Sequence, residues 1–211
     1  MNWSIFCVFL GVYLGLFLGV DLLQRFVIKG TQWSRKATHV LSGVPSCLLP
    51  VYLVRNEIIL LALVFTVVLG ISKYKRILSL HEVERKTLGE IFYPLSIAVI
   101  ALISLPGNIP AFQVSVLILA LSDGFAGIIG ERWPVRVFQI RNDKKSLGGT
   151  LVFFILSCLI LFVVHGGASV LIVPILCMAV ALTLTEFVLI YGFDNLILPV
   201  MTSLLELYLF G

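Results

Sequence analysis

The chain of 211 residues is 60% hydrophobic and only 12% charged, with a mean hydropathy of +1.11. A water-soluble domain carries about 25% charged residues, so this composition excludes an ordinary soluble protein. The formal net charge is +4. The basic residues lie in short loops between apolar segments, so we expect no nucleic-acid partner. The composition is typical of a protein embedded in a lipid bilayer.

Eight apolar segments follow one another along the chain. Each approaches the length of roughly 20 residues that an α-helix needs to cross a bilayer, and the alternating pattern of a membrane β-barrel is absent. We therefore predict an all-α bundle of about eight transmembrane helices in a single domain, residues 1–211, or seven if one short segment is re-entrant. The segments are residues 3–21, 37–54, 57–72, 91–106, 110–130, 149–165, 168–190 and 195–210.

The distribution of basic residues predicts the orientation of this bundle. Every Lys and Arg except Arg55 lies in the loops after the first, third and fifth segments. Basic loops of membrane proteins face the cytoplasm, so both chain termini are expected on the opposite side. Functional polar groups are then expected at the cytoplasmic face, in the cell membrane of a prokaryote or the endoplasmic reticulum or plastid membrane of a eukaryote.

Two basic pairs precede the second and fourth segments at this face. Arg35 and Lys36 stand in WSRKATHVLSG, and Arg85 and Lys86 stand in VERKTLGEIFYPLSI. Such pairs attract phosphate groups, and they also bind anionic lipid headgroups. His39, about one helical turn after Lys36, is either a satisfied polar residue at a helix start or a part of the same site.

Four acids lie within or at the edge of the apolar segments. Such residues are functional candidates because a charge in hydrocarbon is costly. Asp123 and Glu186 lie inside the fifth and seventh segments, where the alternative is a structural ion pair. Glu90 and Asp194 lie near helix starts, where an acid also serves as a cap or complements the helix dipole. With the predicted orientation, all four are expected to converge near the cytoplasmic face.

Small residues follow Asp123 in the stretch LALSDGFAGIIG. Gly124, Ala126, Gly127 and Gly130 have the three- and four-residue spacing that lets transmembrane helices approach closely. The same lack of side chains lets phosphate groups of a ligand approach a backbone. This stretch alone favours packing, and the sequence downstream favours a ligand.

That downstream sequence, RNDKKSLGGTLVFF at residues 141–154, runs from two lysines directly into the sixth apolar segment. A helix N-terminus presents free N–H groups and a partial positive charge, which together favour phosphate. The alternative is ordinary charge in a cytoplasmic loop. With carboxylates nearby, the combination suits a nucleotide bound with Mg²⁺, which prefers one or two carboxylates together with phosphate oxygens.

Five stretches in this order resemble the motifs of the CTP-dependent polyprenol kinase family, which includes dolichol kinases and phytol kinases. They are RKATHVLSG, RKTLGEIFYPL, LSDGFAGIIG, KKSLGGTLVFF and TEFVLIYGFDNLILP, and they span residues 35–199. The family is similar to CTP-dependent diacylglycerol kinases and, more distantly, to CDP-diacylglycerol synthases. The resemblance implies transfer of the γ-phosphoryl group of CTP to the hydroxyl of a membrane lipid alcohol, with Mg²⁺ or another divalent cation.

The motifs can be placed residue by residue. The DGxAxxxG element falls on Asp123, Gly124, Ala126 and Gly130. The KSxxG[ST] element falls on Lys145, Ser146, Gly149 and Thr150, and the E…DN element falls on Glu186, Asp194 and Asn195. The chain departs from the pattern at residues 131–134, where many members have another glycine, and at Gly148, where an acid is common.

The resemblance implies roles for these residues. Asp123, Glu186 and Lys145 are expected to be catalytic. Asp123, Asp194 and Glu186 are expected to hold the metal, and Asp123 and Glu186 could exchange the roles of metal ligand and base. Backbone N–H groups at 148–150 would contact phosphate. The predicted nucleotide-binding set is Arg35, Lys36, Arg85, Lys86, Gly124, Gly127, Lys144, Ser146, Gly148, Gly149, Thr150 and Asn195.

Other functions remain as alternatives at this point. Within the enzymes they are diacylglycerol phosphorylation and cytidylyl transfer, which releases pyrophosphate. A transporter is the alternative from another class, because acids within helices also mark ion paths. Against a transporter stand the lack of a visible inverted repeat and the expectation that the polar groups cluster on one side.

Overall fold

The computed structural model describes residues 3–26, 33–75, 87–141, 143–166 and 171–211. These residues form eight helices and one β-hairpin, which confirms the predicted eight-helix bundle. In chain order the elements are α1 Trp3–Phe26, α2 Trp33–Tyr52, α3 Arg55–Lys75, α4 Gly89–Ser104, α5 Ile109–Arg132, β1 Val137–Ile140, β2 Asp143–Ser146, α6 Leu147–Val164, α7 Ile172–Val188 and α8 Asp194–Leu209.

The outer surface of the helices fits a membrane. Among the described residues, four helices are long and apolar enough to cross one, namely α1, α3, α5 and α6, and α4 and α7 are apolar but shorter. On α6, Leu151, Ile155 and Leu159 recur every four residues and are each more than half exposed. An apolar stripe of this kind is unfavourable against water and compatible with lipid. The chain therefore fits a membrane-embedded bundle.

Helix α5 lies at the centre of the bundle. Phe112 and Val116 pack into a core shared with α1–α4, whereas Val114 and Ile118 pack into a second core shared with α6–α8. The start of α5 is fixed by Asn108, whose side-chain oxygen accepts a hydrogen bond from the Ala111 N–H at 2.9 Å, an N-cap that satisfies one free helix donor. The central position of α5 brings its later residues between the two halves of the bundle.

The backbone of α5 is irregular where it carries the predicted catalytic acid. Between the α-helical segments Ile109–Leu117 and Gly124–Arg132, residues Ile118–Asp123 form a π-helical turn. Turns of this kind are rare and often lie at functional sites. Asp123 ends the wide turn and is 2% exposed, so the irregular turn determines the direction in which a buried carboxylate projects.

The β-hairpin was not predicted and corrects the expectation of an all-helical chain. Strands β1 and β2 pair antiparallel, with Val137 opposite Ser146 and Ile140 opposite Asp143. Successive strand residues face opposite sides. Lys145 is therefore half-buried, while Lys144 beside it is exposed. The sequence of residues 137–146 indicates only a basic loop, because strands of four residues are too short to give a clear alternating pattern.

The connection between α7 and α8 packs tightly on the start of α4. Leu88 donates a backbone hydrogen bond to Tyr191 O at 3.1 Å, and Asn195 Nδ2 donates to Gly89 O at 2.9 Å. Gly192 has φ +86°, and a Cβ there would lie 2.4 Å from Gly89 N. A glycine is therefore required at 192 both by the backbone conformation and by the close contact with α4.

We expect Gly192→Ala to destabilise the protein more than Gly166→Ala does. Both glycines have positive φ, but a Cβ at Gly166 meets nothing within 4 Å. Each alanine incurs about 1–2 kcal/mol of left-handed strain. Only Gly192→Ala adds an overlap, of the kind that costs about 1–3 kcal/mol in packed structure. Thermal unfolding in detergent measures both variants, and equal losses of Tm would contradict the described contact.

Candidate active site

A cavity of about 350 Å³ lies among the starts of α2, α6 and α8, the later part of α5, the end of α7 and the hairpin. Most residues that the sequence predicted for the site surround it, although they come from distant parts of the chain. Those that line the cavity are Lys36, Asp123, Gly127, Lys144, Lys145, Ser146, Gly149, Thr150, Glu186 and Asp194.

Lys36 and Asp123 form one ion pair on the wall of this cavity. Lys36 Nζ lies 3.1 Å from Asp123 Oδ2 and 3.4 Å from the Asp123 backbone oxygen. Their side chains are 13% and 3% exposed. The sequence placed Lys36 in a basic pair at the site entrance. Because α2 begins at Trp33 and not near residue 37, Lys36 is helical and reaches the buried acid.

Lys145 and Glu186 form a second ion pair across the cavity. Lys145 Nζ donates to Glu186 Oε1 and, at 2.7 Å, to the Glu186 backbone oxygen. Burial alone would lower the pKa of Lys145, but the nearby carboxylates of Glu186, Asp194 and Asp123 outweigh it and raise that pKa above its usual value. Lys145 is therefore an ammonium group at every physiological pH.

The glycines around Asp123 serve close packing. A Cβ at Gly124 would lie 2.6 Å from Val40 Cγ2, and one at Gly130 would lie 2.7 Å from Ser146 Oγ. A Cβ at Gly149 would lie 2.7 Å from the Ala126 backbone oxygen. These contacts let α5 approach α2 and α6 closely. Gly124 packs against Val40 and does not line the cavity, and its contact with a nucleotide stays a prediction.

Gly127 has a different neighbour. A Cβ there would lie 2.3 Å from Lys36 Cε and 2.6 Å from Lys36 Nζ. The absence of a side chain at Gly127 therefore leaves the space that Lys36 needs to reach Asp123. Because the obstructed atoms are the flexible end of a lysine, a larger residue at 127 would move the ammonium group without disturbing the backbone.

We expect Gly127→Ala to fold normally but to lower kcat/KM about tenfold to a hundredfold, because the Lys36 ammonium group is displaced from its position in the cavity. Gly70→Ala in α3 is the matched control, since a Cβ there meets nothing within 4 Å. On a Lys36→Met background, Gly127→Ala should have no further effect, which steady-state kinetics of the double variant measures. Independent, additive losses would contradict this role of Gly127.

The N-terminus of α6, where phosphate contacts are predicted, is capped by a side chain of the protein. Ser146 is the N-cap, and its Oγ accepts the Gly149 N–H at 3.1 Å. The Leu147 N–H donates to Val135 O at 3.0 Å. Gly148 faces the chain at Trp133–Val135 and does not line the cavity. The serine before the two glycines thus caps its own helix, and the predicted phosphate contacts at Gly148 and Gly149 stay a prediction.

Further predicted residues fall elsewhere. Asn195 is 1% exposed, and its amide donates a hydrogen bond to the backbone oxygen of Gly89. Its contact with a nucleotide stays a prediction. Glu90 does not line this cavity, and it pairs with Lys73 at 3.1 Å. The side chain of Arg35, and Arg85 and Lys86 as a whole, lie outside the described residues.

The opposite end of the bundle also holds buried acids, which corrects the expectation that polar groups cluster on one side. Glu206 is 2% exposed and lies 3.2 Å from His165 Nε2. Glu57 is 4% exposed, and its Oε2 accepts the Val54 N–H at 3.2 Å. In the sequence, Glu206 lies in an otherwise apolar segment and Glu57 lies at a short loop between two segments. Neither lines the cavity described above.

The donor set of the cavity fits a hard divalent cation held together with phosphate. Within the described residues, no three His, Cys, Asp or Glu side chains form a complete metal site. Glu186 Oε2, however, is buried without a hydrogen-bond partner in the described part of the chain, and Asp123 and Asp194 line the same cavity. Mg²⁺ takes one or two carboxylates and completes its shell with phosphate and water oxygens.

The chain is similar to one curated protein over nearly its whole length. It is 27% identical over 201 residues to a phytol kinase of Synechocystis sp., and the match covers 92% of this chain and 86% of that protein. No family model matches the chain, and no solved structure matches it. The similarity supports a relationship to a family of phytol-kinase-like proteins, as the order of the sequence motifs predicted.

Proposed function

We propose that this protein is a lipid-alcohol kinase that transfers the γ-phosphoryl group of CTP to the hydroxyl of an isoprenoid alcohol of the phytol or polyprenol type. The observation that carries this proposal is the pair of lysine–carboxylate contacts, Lys36–Asp123 and Lys145–Glu186, around one cavity at the end of the bundle. The similarity to a phytol kinase supports the acceptor class, and the motif resemblance supports the choice of CTP.

The chemistry of phosphoryl transfer requires positioning and neutralisation of charge more than covalent help from the protein. Lys145 on the hairpin and Lys36 on α2 supply two ammonium groups to the cavity, and the exposed Lys144 supplies a third. Phosphate oxygens would take over part of the hydrogen bonding that these lysines now give to carboxylates. The carboxylates are thereby freed to act on the metal and on the acceptor.

Asp194 with either Asp123 or Glu186 would hold Mg²⁺, which when bound neutralises charge on the phosphates. In the transfer step, the alcohol oxygen forms a bond to the γ-phosphorus while the bond from that phosphorus to the bridging β–γ oxygen breaks. CDP leaves with that oxygen, and the proton of the alcohol passes to a carboxylate, Asp123 or Glu186. Lys145 stabilises the negative charge that spreads over the transferred group.

The cavity is proposed to face the cytoplasm, where nucleotides are available. Basic residues flank it on several elements, and basic juxtamembrane segments lie on the cytoplasmic side. Their positive field would also attract a nucleotide to the site. Both chain termini would then lie on the opposite side, in whichever membrane the protein occupies.

The test uses purified protein with Mg²⁺, γ-labelled CTP and separate panels of isoprenoid alcohols and diacylglycerols. Label in an isoprenoid alcohol supports the proposal. Label in diacylglycerol, or label released as pyrophosphate with a CDP-lipid product, would replace it with glyceride phosphorylation or cytidylyl transfer. Competition by unlabelled ATP and GTP tests the nucleotide. Absence of any transfer, with ion flux in reconstituted vesicles, would indicate the transporter instead.

A further inference from the structure

A second, narrower cavity of about 50 Å³ lies among α1, α2, α3 and α4. Packed protein interiors leave few gaps larger than one water molecule, so an opening of this size among buried side chains is a distinct feature. Its rim includes the half-buried Phe17 and Glu90. The walls between are mostly apolar and include Leu49, Leu61, Ala62, Phe65, Leu69 and Ile97.

Four hydroxyl groups that line this groove, on α1, α2 and α4, bond to each other and to backbone oxygens. Ser46 Oγ donates to Ser42 O at 2.7 Å and shares a 2.7 Å hydrogen bond with Tyr13 OH. Ser42 Oγ and Tyr93 OH both donate to His39 O at 3.2 Å. Because these donors are used within the protein, the groove offers a bound molecule mainly hydrocarbon contact.

The groove follows the helices from the catalytic end into the bundle. Along α2 it is lined from Thr38 to Leu49, a distance of roughly 16 Å at 1.5 Å per residue. That is about half of the hydrocarbon thickness of a bilayer. A groove of this direction and length suits a single hydrocarbon tail that enters from the acyl layer and ends near the membrane surface.

The end of the groove at Thr38 and His39 lies next to the larger cavity that contains Asp123. His39 in the groove lies about one turn after Lys36 in the cavity, and both His39 and Tyr93 are close enough to Asp123 to interact with it electrostatically. At the contact of α2 with α5, a Cβ on Gly43 would lie 2.2 Å from Ala120 Cβ and 3.6 Å from Tyr93 OH. This end of the groove therefore lies near Asp123.

We propose that the groove among α1, α2, α3 and α4 binds the single isoprenoid tail of the acceptor alcohol and directs its hydroxyl to the Asp123 side of the cavity. This inference rests on the proposed kinase function and adds the location of the acceptor. A narrow groove admits one chain and excludes the paired tails of a diacylglycerol. It also separates the roles of the two acids: Asp123 faces the acceptor, and Glu186, paired with Lys145 on the hairpin, faces the nucleotide.

The test substitutes neighbouring residues of α3 that differ in orientation. Ala62 is 5% exposed and lines the groove, whereas Leu63 is 43% exposed on the outer surface. Ala62→Leu should fill the groove. We expect it to lower kcat/KM about tenfold or more for an alcohol of four isoprene units and much less for one of a single unit, with KM for CTP unchanged. Leu63→Phe should leave both alcohols unaffected.

A second measurement uses the unaltered protein and does not depend on whether a variant folds. A photoactivatable isoprenoid alcohol is cross-linked in detergent with and without excess unlabelled alcohol, and the labelled peptides are mapped. Competable labelling of α1–α4 supports the groove. Competable labelling confined to α6–α8, or identical chain-length profiles for Ala62→Leu and Leu63→Phe, would overturn it while phosphorylation still occurs. Absence of phosphorylation by the unaltered protein would instead refute the kinase itself.

Discussion

Lys145→Met should reduce kcat by about 10³-fold or more, since it removes the buried charge that would stabilise the transferred phosphoryl group. The methionine keeps the apolar length of the side chain but offers no donor to phosphate or to Glu186. The measurement is single-turnover transfer from γ-labelled CTP at saturating alcohol. The exposed Lys75 at the end of α3 provides the control, because Lys75→Met removes the same charge away from the cavity and should retain full activity.

The same substitution also leaves Glu186 buried without its partner, which typically costs about 3–5 kcal/mol of stability. The loss of stability and the loss of catalysis can be separated. Lys145→Met combined with Glu186→Gln removes both charges, so this double variant should recover much of the lost Tm and remain inactive. If the double variant recovers activity together with Tm, Lys145 acts by holding the fold and not on the nucleotide.

Asp123→Asn should also lower kcat by about 10³-fold or more, with a smaller loss of Tm than Lys145→Met because Lys36 keeps an oxygen acceptor. The amide is nearly isosteric and still offers an oxygen to Lys36, so the packing of α2 on α5 persists. It can neither accept the alcohol proton nor bind Mg²⁺ as a carboxylate does. The assay is the same labelled transfer, with metal titration to show whether excess Mg²⁺ restores any rate.

The matched control for Asp123→Asn is another buried acid with a side-chain hydrogen-bond partner. Glu206 is as buried as Asp123 and pairs with His165 at the far end of the bundle. Glu206→Gln therefore repeats the loss of a buried negative charge without touching the cavity, and its kcat should match that of the unaltered protein. Comparable losses in both variants would mean that buried charge in general, and not the position of Asp123, supports activity.

Hydropathy was sufficient to locate the helices because the membrane imposes one length and one polarity on every crossing segment. The eight predicted segments correspond to the eight helices of the described residues, with ends displaced by a few positions. The start of α2, for example, lies at Trp33 and not at residue 37. The charged, polar turn that contains Arg35 and Lys36 carries no apolar signal, although it is helical. A polar sequence at the end of a membrane helix therefore does not show where the helix begins.

The details of the site were less accessible from the sequence. That Lys36 meets Asp123 is a tertiary contact between residues 87 positions apart, and no local pattern encodes it. The two interpretations of the glycines depend on what lies opposite each missing side chain, which the spacing does not specify. Gly127 has the same spacing as its neighbours but faces a lysine, whereas Gly124 faces a valine. The hairpin that carries Lys145 has strands of only four residues.

The π-helical turn in α5 has a consequence for how this protein tolerates changes in its gene. One residue more than an α-helical turn rotates everything beyond it by about 100° relative to a regular helix. Deletion of a single codon between 118 and 122 could restore a regular helix with almost unchanged hydropathy, and the deletion would turn the carboxylate of Asp123 away from Lys36. We therefore expect an insertion or deletion in this stretch to be more damaging than a substitution. It would abolish activity even in a variant that keeps Asp123 and the glycines that follow it.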